Sequence, residues 1–107
     1  MQRILIIDDE DDICMILSYS LRQAGYEVFT AHSAEEALPI IMTQSPNLLL
    51  LDIMMDGMSG TELVAYMRDH NMLTMPIIFL TALGDETSVL KGFSLGADDY
   101  IAKPFHI

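Results

Sequence analysis

The chain has 107 residues, 51% of them hydrophobic and few of them proline or glycine, which fits one domain burying one core and excludes a disordered or fibrous class. Its formal net charge of -11, with only five Lys and Arg, opposes contact with nucleic acid or an anionic membrane, so its partners are expected to be cations or basic surfaces. The one cysteine, Cys14, cannot form an intrachain disulfide, no apolar run reaches the roughly 18 residues that span a bilayer, and the N-terminus lacks a signal-peptide pattern, which makes the cytoplasm the expected compartment.

Short apolar runs alternate with longer segments of helical period, the runs ending at Asp8, Thr30, Asp52, Thr81 and Lys103. Ile4 to Ile7 is continuously apolar, as a strand buried on both faces of a parallel sheet must be. Ile13, Ile16, Leu17, Leu21 and Ala24 then fall on one helical face, and Gly25 supplies the residue that a helix C-terminus favours. Val28 to Ala31 is a weaker run and reads as an edge strand. Ser33 with Glu36 has capping-box spacing, in which the hydroxyl serves an orphan amide and the carboxylate reaches back, and it marks the start of a second helix. Leu48 to Leu51 is a third strand, Ser59 with Glu62 marks a third helix in the same way, and Ile77 to Leu80 is a fourth strand. Ser88 to Leu95 reads as a fourth helix ending at Gly96, the softest of the set, because Gly92 within it costs about 1 kcal/mol relative to Ala.

This alternation predicts a doubly wound α/β sheet, since right-handed crossovers place helices on both faces. Ligands in such sheets bind beyond the carboxyl ends of the strands, near the switch point of strand order. Asp8, Asp9, Asp52, Thr81 and Lys103 all lie at those ends.

Three carboxylates from two strand ends repel one another in one pocket and need protonation or a divalent cation to relieve the repulsion. An oxygen-only set without His or Cys points to a hard ion such as Mg²⁺. Asp11 and Asp12 read instead as a solvated helix start, favoured there by the helix dipole, and Glu10 belongs to the same solvated face. A carboxylate flanked by a metal can attack phosphorus to form an aspartyl phosphate if positive charge neutralises the transferring group. A lysine and a hydroxyl at neighbouring strand ends, Lys103 and Thr81, would supply that charge and a hydrogen bond. Each is unremarkable alone, because a Thr after a strand more often caps a helix and a lone Lys is usually solvated.

Four motifs in order carry a resemblance: Ile-Leu-Ile-Ile-Asp8-Asp9-Glu10; Leu-Leu-Leu-Asp52-Ile-Met-Met-Asp-Gly-Met-Ser-Gly60; Thr81-Ala82; and Gly96-Ala-Asp-Asp-Tyr100-Ile-Ala-Lys103-Pro104-Phe105. Together they resemble the receiver domains of two-component response regulators over essentially the whole chain. The resemblance implies a flavodoxin-like, five-stranded parallel sheet of order 2-1-3-4-5, with residues 1–107 forming one receiver domain. It makes Asp52 the phosphoacceptor and gives Mg²⁺ or Mn²⁺ to Asp9, Asp52 and the Met54 backbone carbonyl, with Asp8 assisting through water. Thr81, Ala82 and Lys103 become phosphate contacts, Lys103-Pro104 looks like the family's cis peptide, and Thr81 with Tyr100 becomes a switch that moves on phosphorylation. The implied partner is a sensor histidine kinase or a histidine phosphotransfer protein, and the implied activity is signalling rather than turnover, the chain assisting only its own aspartyl phosphorylation and dephosphorylation. For Tyr100 the plainer reading is a half-buried aromatic on an edge strand.

Asp56 stands where the family usually carries proline, and Met54 and Leu83 are apolar at positions that tune phosphoryl lifetime, which predicts slow hydrolysis. The chain stops at Ile107, before the family's fifth helix, so the reading expects a C-terminally short piece of a longer regulator with an output domain beyond it. The sheet face left under-covered is also open to association with a second copy. The nine methionines read as core filling. His32, His70 and His106 share no spacing with the acidic cluster and read as surface or satisfied residues. Two rival functions are a flavin-phosphate electron-transfer module, which Asp8 to Asp12 would repel, and a phosphorylation-independent scaffold, whose sign would be a missing acceptor, metal carboxylate or lysine. An aspartyl phosphatase would want an acid where Met54 stands.

Overall fold

Five short, mainly apolar segments form the strands β1 (Arg3–Ile7), β2 (Glu27–Ala31), β3 (Leu48–Asp52), β4 (Ile77–Ala82) and β5 (Asp99–Lys103) in a computed structural model that describes residues 2–82, Leu90, Ser94 and 98–103. All pair in parallel in the order β2-β1-β3-β4-β5, so the weak run at Val28 is an edge strand as expected. Alternate side chains of the central strands enter two cores. Leu5, Ile7, Leu49, Leu51, Ile77 and Phe79 face α2 (Ala34–Gln44) and α3 (Gly60–Asp69), packing on Ala37, Ile41, Leu63, Val64 and Met67. Ile4, Ile6, Val28, Leu50 and Leu80 form the opposite core with Cys14, Ile13, Leu17 and Leu21 of α1 (Asp11–Gln23). Burial on both faces explains why these strands read as unbroken apolar runs.

The helices depart from expectation in detail. The buried stripe of α1 is centred on Cys14 and Ser18, and Ile16 is 50% exposed, so the predicted face is rotated toward the helix side that packs on β1 and β2. Gly25, at φ 96°, ends the helix region in the left-handed conformation that glycine adopts at least cost. At α3 the capping box is complete, Ser59 Oγ accepting from the Glu62 N–H at 3.2 Å and Glu62 Oε1 accepting from the Ser59 N–H at 3.1 Å. At α2 only half of it forms: Ser33 Oγ accepts from the Glu36 N–H at 3.1 Å, whereas Glu36 Oε1 lies 3.5 Å from the His32 N–H, one residue beyond the cap. α2 ends at Ser45, a non-glycine residue at φ 46°.

Leu90 and Ser94 are helical, while the other residues of the predicted fourth helix, including Gly92 and Gly96, lie outside the described residues, as do Leu83, Pro104, Phe105 and His106. Met67 is fully buried and Met55, Met58, Met72 and Met75 pack on the first core, but Met15, Met42 and Met54 are exposed, so core filling accounts for only part of the methionine content. Among the described residues no helix is long and apolar enough to cross a membrane.

Candidate functional site

The register of the sheet assembles the site. Ile7 pairs with Leu51, so the next residue on each strand, Asp8 and Asp52, emerges at one level of the carboxyl edge. Asp8 extends the ladder by donating its N–H to the Ala31 carbonyl at 3.0 Å, and the Ile53 N–H does the same to Leu80 at 3.1 Å, which anchors both carboxylate-bearing peptides from the neighbouring strand. Each aspartate then bends its own chain out of the strand: Asp8 Oδ1 accepts from the Glu10 N–H at 2.9 Å and Asp52 Oδ1 from the Met54 N–H at 3.2 Å. This local side-chain to backbone bonding is the habit of Asp at turns.

Asp8 and Asp52 are buried, Asp9 and Glu10 are exposed, and carboxylate oxygens of all four lie within 4.8 Å of one another. Burying like charges this close is costly unless a counter-charge sits among them. The donor set is oxygen only, and its geometry suits a hard divalent cation with water completing the shell. Glu10 is the member that sequence reasoning placed on a solvated face. Its proximity follows from the turn that its own N–H makes back onto Asp8, which spacing alone does not reveal.

Thr81 is buried on β4 one residue past Leu80, the partner of Asp52, and the register Thr81↔Ala102 and Ala82↔Lys103 carries the backbone of Lys103 to the same edge of the sheet. The side chains of Ala82 and Lys103 are outside the described residues. Tyr100, opposite Phe79 on the outermost strand β5, is 47% exposed. Asp8, Asp9 and Asp52 are therefore brought together, Thr81 stands one position further along the sheet edge, and Tyr100 sits lower on the outer strand. His32 is exposed as expected but not isolated: its Nε2 lies 2.6 Å from Asp11 Oδ1 and its Nδ1 3.9 Å from Glu36 Oε1, tying the end of β2 to the starts of α1 and α2.

Comparison with known proteins agrees with this geometry. The family model described as response regulator receiver domain matches residues 4–107. The chain is 41% identical over 104 residues to the alkaline phosphatase synthesis transcriptional regulatory protein PhoP of Bacillus subtilis, covering 97% of this chain and 43% of that protein. It is 45% identical over 103 residues to the phosphate regulon transcriptional regulatory protein PhoB of Pseudomonas aeruginosa, covering 95% of this chain and 45% of that one. Among solved structures, the Vibrio cholerae chemotaxis protein CheY4 superimposes with a TM-score of 0.92 at 32% identity, covering 99% of this chain and 89% of that chain. A response regulator from Chloroflexus aurantiacus gives 0.91 at 43% identity over 98% and 87%. The chain belongs to the receiver-domain family of two-component response regulators, a family of signal-transduction proteins that typically bind Mg²⁺ at an acidic pocket. It spans less than half the length of the curated relatives it matches.

Proposed function

We propose that the chain accepts a phosphoryl group on Asp52 from the phosphohistidine of a sensor histidine kinase or histidine phosphotransfer protein. The observation that carries the reading is the buried Asp52 carboxylate at a strand end, gathered with Asp8, Asp9 and Glu10 within 4.8 Å, in a chain that the receiver-domain family model matches over residues 4–107. Asp8, Asp9, Asp52 and the Met54 carbonyl are the residues to hold Mg²⁺ or Mn²⁺, which when bound neutralises charge on the transferring phosphoryl oxygens. An Asp52 carboxylate oxygen forms the new bond to phosphorus, the P–N bond to the donor imidazole breaks, and that imidazole leaves and takes up a proton. The Thr81 hydroxyl, the Ala82 backbone N–H and the Lys103 ammonium are assigned to the phosphoryl oxygens.

Phosphorylation adds about two negative charges and strong acceptors, enough to bias a two-state equilibrium. In this reading Thr81 shifts toward the phosphate and Tyr100, half-exposed here, turns inward behind it. The domain works in the cytoplasm and passes its phosphorylation state to an output partner or output region. With a net charge of -11, it does not itself engage nucleic acid. The chain assists its own phosphorylation and dephosphorylation but turns over no separate substrate.

Incubation of the purified chain with acetyl phosphate, with and without Mg²⁺, followed by intact mass, tests the proposal. One phosphoryl adduct that requires the cation and is absent from Asp52→Ala is the expected result. A folded chain that takes no adduct would favour the phosphorylation-independent scaffold.

A further inference from the structure

Gly60 opens α3, is buried, and donates its N–H to the Ile53 carbonyl at 2.8 Å. A Cβ placed on it would stand 2.4 Å from the Asp52 carbonyl oxygen, 2.8 Å from Ile53 Cα and 3.0 Å from the Asp52 carbonyl carbon. All three are backbone atoms, so no side-chain rotation can relieve the overlap. Gly60 is thus required for room rather than for an unusual backbone angle. The first turn of α3, held by the Ser59–Glu62 capping box, is seated directly on the peptide that follows Asp52.

We infer that Gly60 is a positioning residue for phosphoryl acceptance, setting the aim of the Asp52 carboxylate by letting α3 close on the Asp52–Ile53 peptide. The inference rests on the phosphoacceptor reading of Asp52. On its far side that peptide is held by Leu80, which pairs with Asp52 and accepts the Ile53 N–H at 3.1 Å, so strand β3 cannot slide away from an intruding methyl group. Either α3 lifts or the peptide turns. The contact must lengthen by about 0.6 Å to reach even the 3.0 Å below which real Cβ atoms essentially never approach a neighbour. A misplacement on the order of 1 Å at a reacting group can cost about 100-fold in rate.

Gly60→Ala also loses stability, so a second glycine separates the two effects. Gly25, at φ 96° with nothing within 4 Å of its Cβ position, lies in the α1–β2 turn, at the amino end of the strands and away from the site. Gly25→Ala strains the backbone and lowers stability without touching Asp52. The test measures phosphorylation of the 107-residue chain by acetyl phosphate across donor concentrations at saturating Mg²⁺, alongside circular dichroism and thermal melting. Gly25→Ala should keep the wild-type maximal rate within about twofold. Gly60→Ala should lose about 100-fold in maximal rate, with a much smaller change in the donor concentration at half-maximal rate. Ser59→Ala, which removes the hydroxyl that caps α3, should slow the maximal rate several-fold and serves as the deciding variant if Gly60→Ala does not fold. A folded Gly60→Ala that matches Gly25→Ala overturns the inference, as does a wild-type rate in Ser59→Ala when Gly60→Ala is unfolded. An inert wild type removes the phosphoacceptor reading itself, and this inference with it.

Discussion

The carboxylates of Asp8 and Asp52 leave adjacent parallel strands at one level of the sheet, both buried and with oxygens within 4.8 Å of each other. Two carboxylates this close repel each other unless a counter-charge lies among them. Asp8→Asn keeps the size and the acceptor for the Glu10 N–H while removing one charge. In chelator, it should raise stability by about 1 kcal/mol, seen as a melting point several degrees higher. Mg²⁺ should raise the wild-type melting point and have little effect on the variant. A variant no more stable than wild type in chelator would show that repulsion at this pair is already relieved.

Ser45 closes α2 at φ 46°, a conformation costing an L-residue roughly 1 kcal/mol that glycine avoids. Ser45→Gly should therefore stabilise the chain by about 0.5–1 kcal/mol in denaturant titration, with an unchanged slope. An equal or lower midpoint would contradict this.

The His32–Asp11 pair joins side chains that are 43% and 81% exposed, so solvent largely screens whatever Coulombic attraction a protonated imidazole would add to the hydrogen-bond-length contact. His32→Gln should cost less than about 1 kcal/mol, and less still at 1 M salt, where screening reaches about 3 Å. A loss well above that, independent of salt, would indicate that His32 is held by packing rather than by charge.

Met54, next but one after Asp52, presents a 64% exposed thioether side chain that cannot orient water by hydrogen bonding. Once formed, the phosphoryl group should be lost slowly when the donor is removed, and Met54→Gln should shorten its lifetime several-fold. Equal lifetimes would place control of hydrolysis elsewhere. Asp56, exposed in the loop between β3 and α3, should have only a modest influence on phosphorylation, so an Asp56→Pro variant is expected to react within a few-fold of wild type.

Much of this architecture was legible because burial on two faces leaves little choice of residue. Leu48 to Leu51 can be nothing but apolar between two helical layers, and the polar residue ending each run marks where the sheet edge meets solvent or ligand. Asp8 and Asp52 are two such residues. What spacing could not show depends on turns and on rotation about helix axes. Ile16 stands at helical spacing from Ile13 yet points outward, because the stripe of α1 is set by where the helix lies on the sheet. Glu10 enters the carboxylate group only through the Asp8 turn, and the half-made box at Ser33 reflects the competing pull of the His32 N–H on Glu36. Gly60 looks like any small residue at a helix start until the approach of the Asp52 backbone is seen.

The central claim is that Asp52, among four neighbouring carboxylates, is the one that accepts phosphorus. The chain treated with acetyl phosphate and Mg²⁺ can be reduced with borohydride, which converts an aspartyl phosphate to homoserine, and then mapped by peptide mass spectrometry. Homoserine at position 52, with Asp8, Asp9 and Glu10 unmodified, is the predicted result. Reduction at another carboxylate, or an adduct that resists borohydride because it is not an acyl phosphate, would contradict the account.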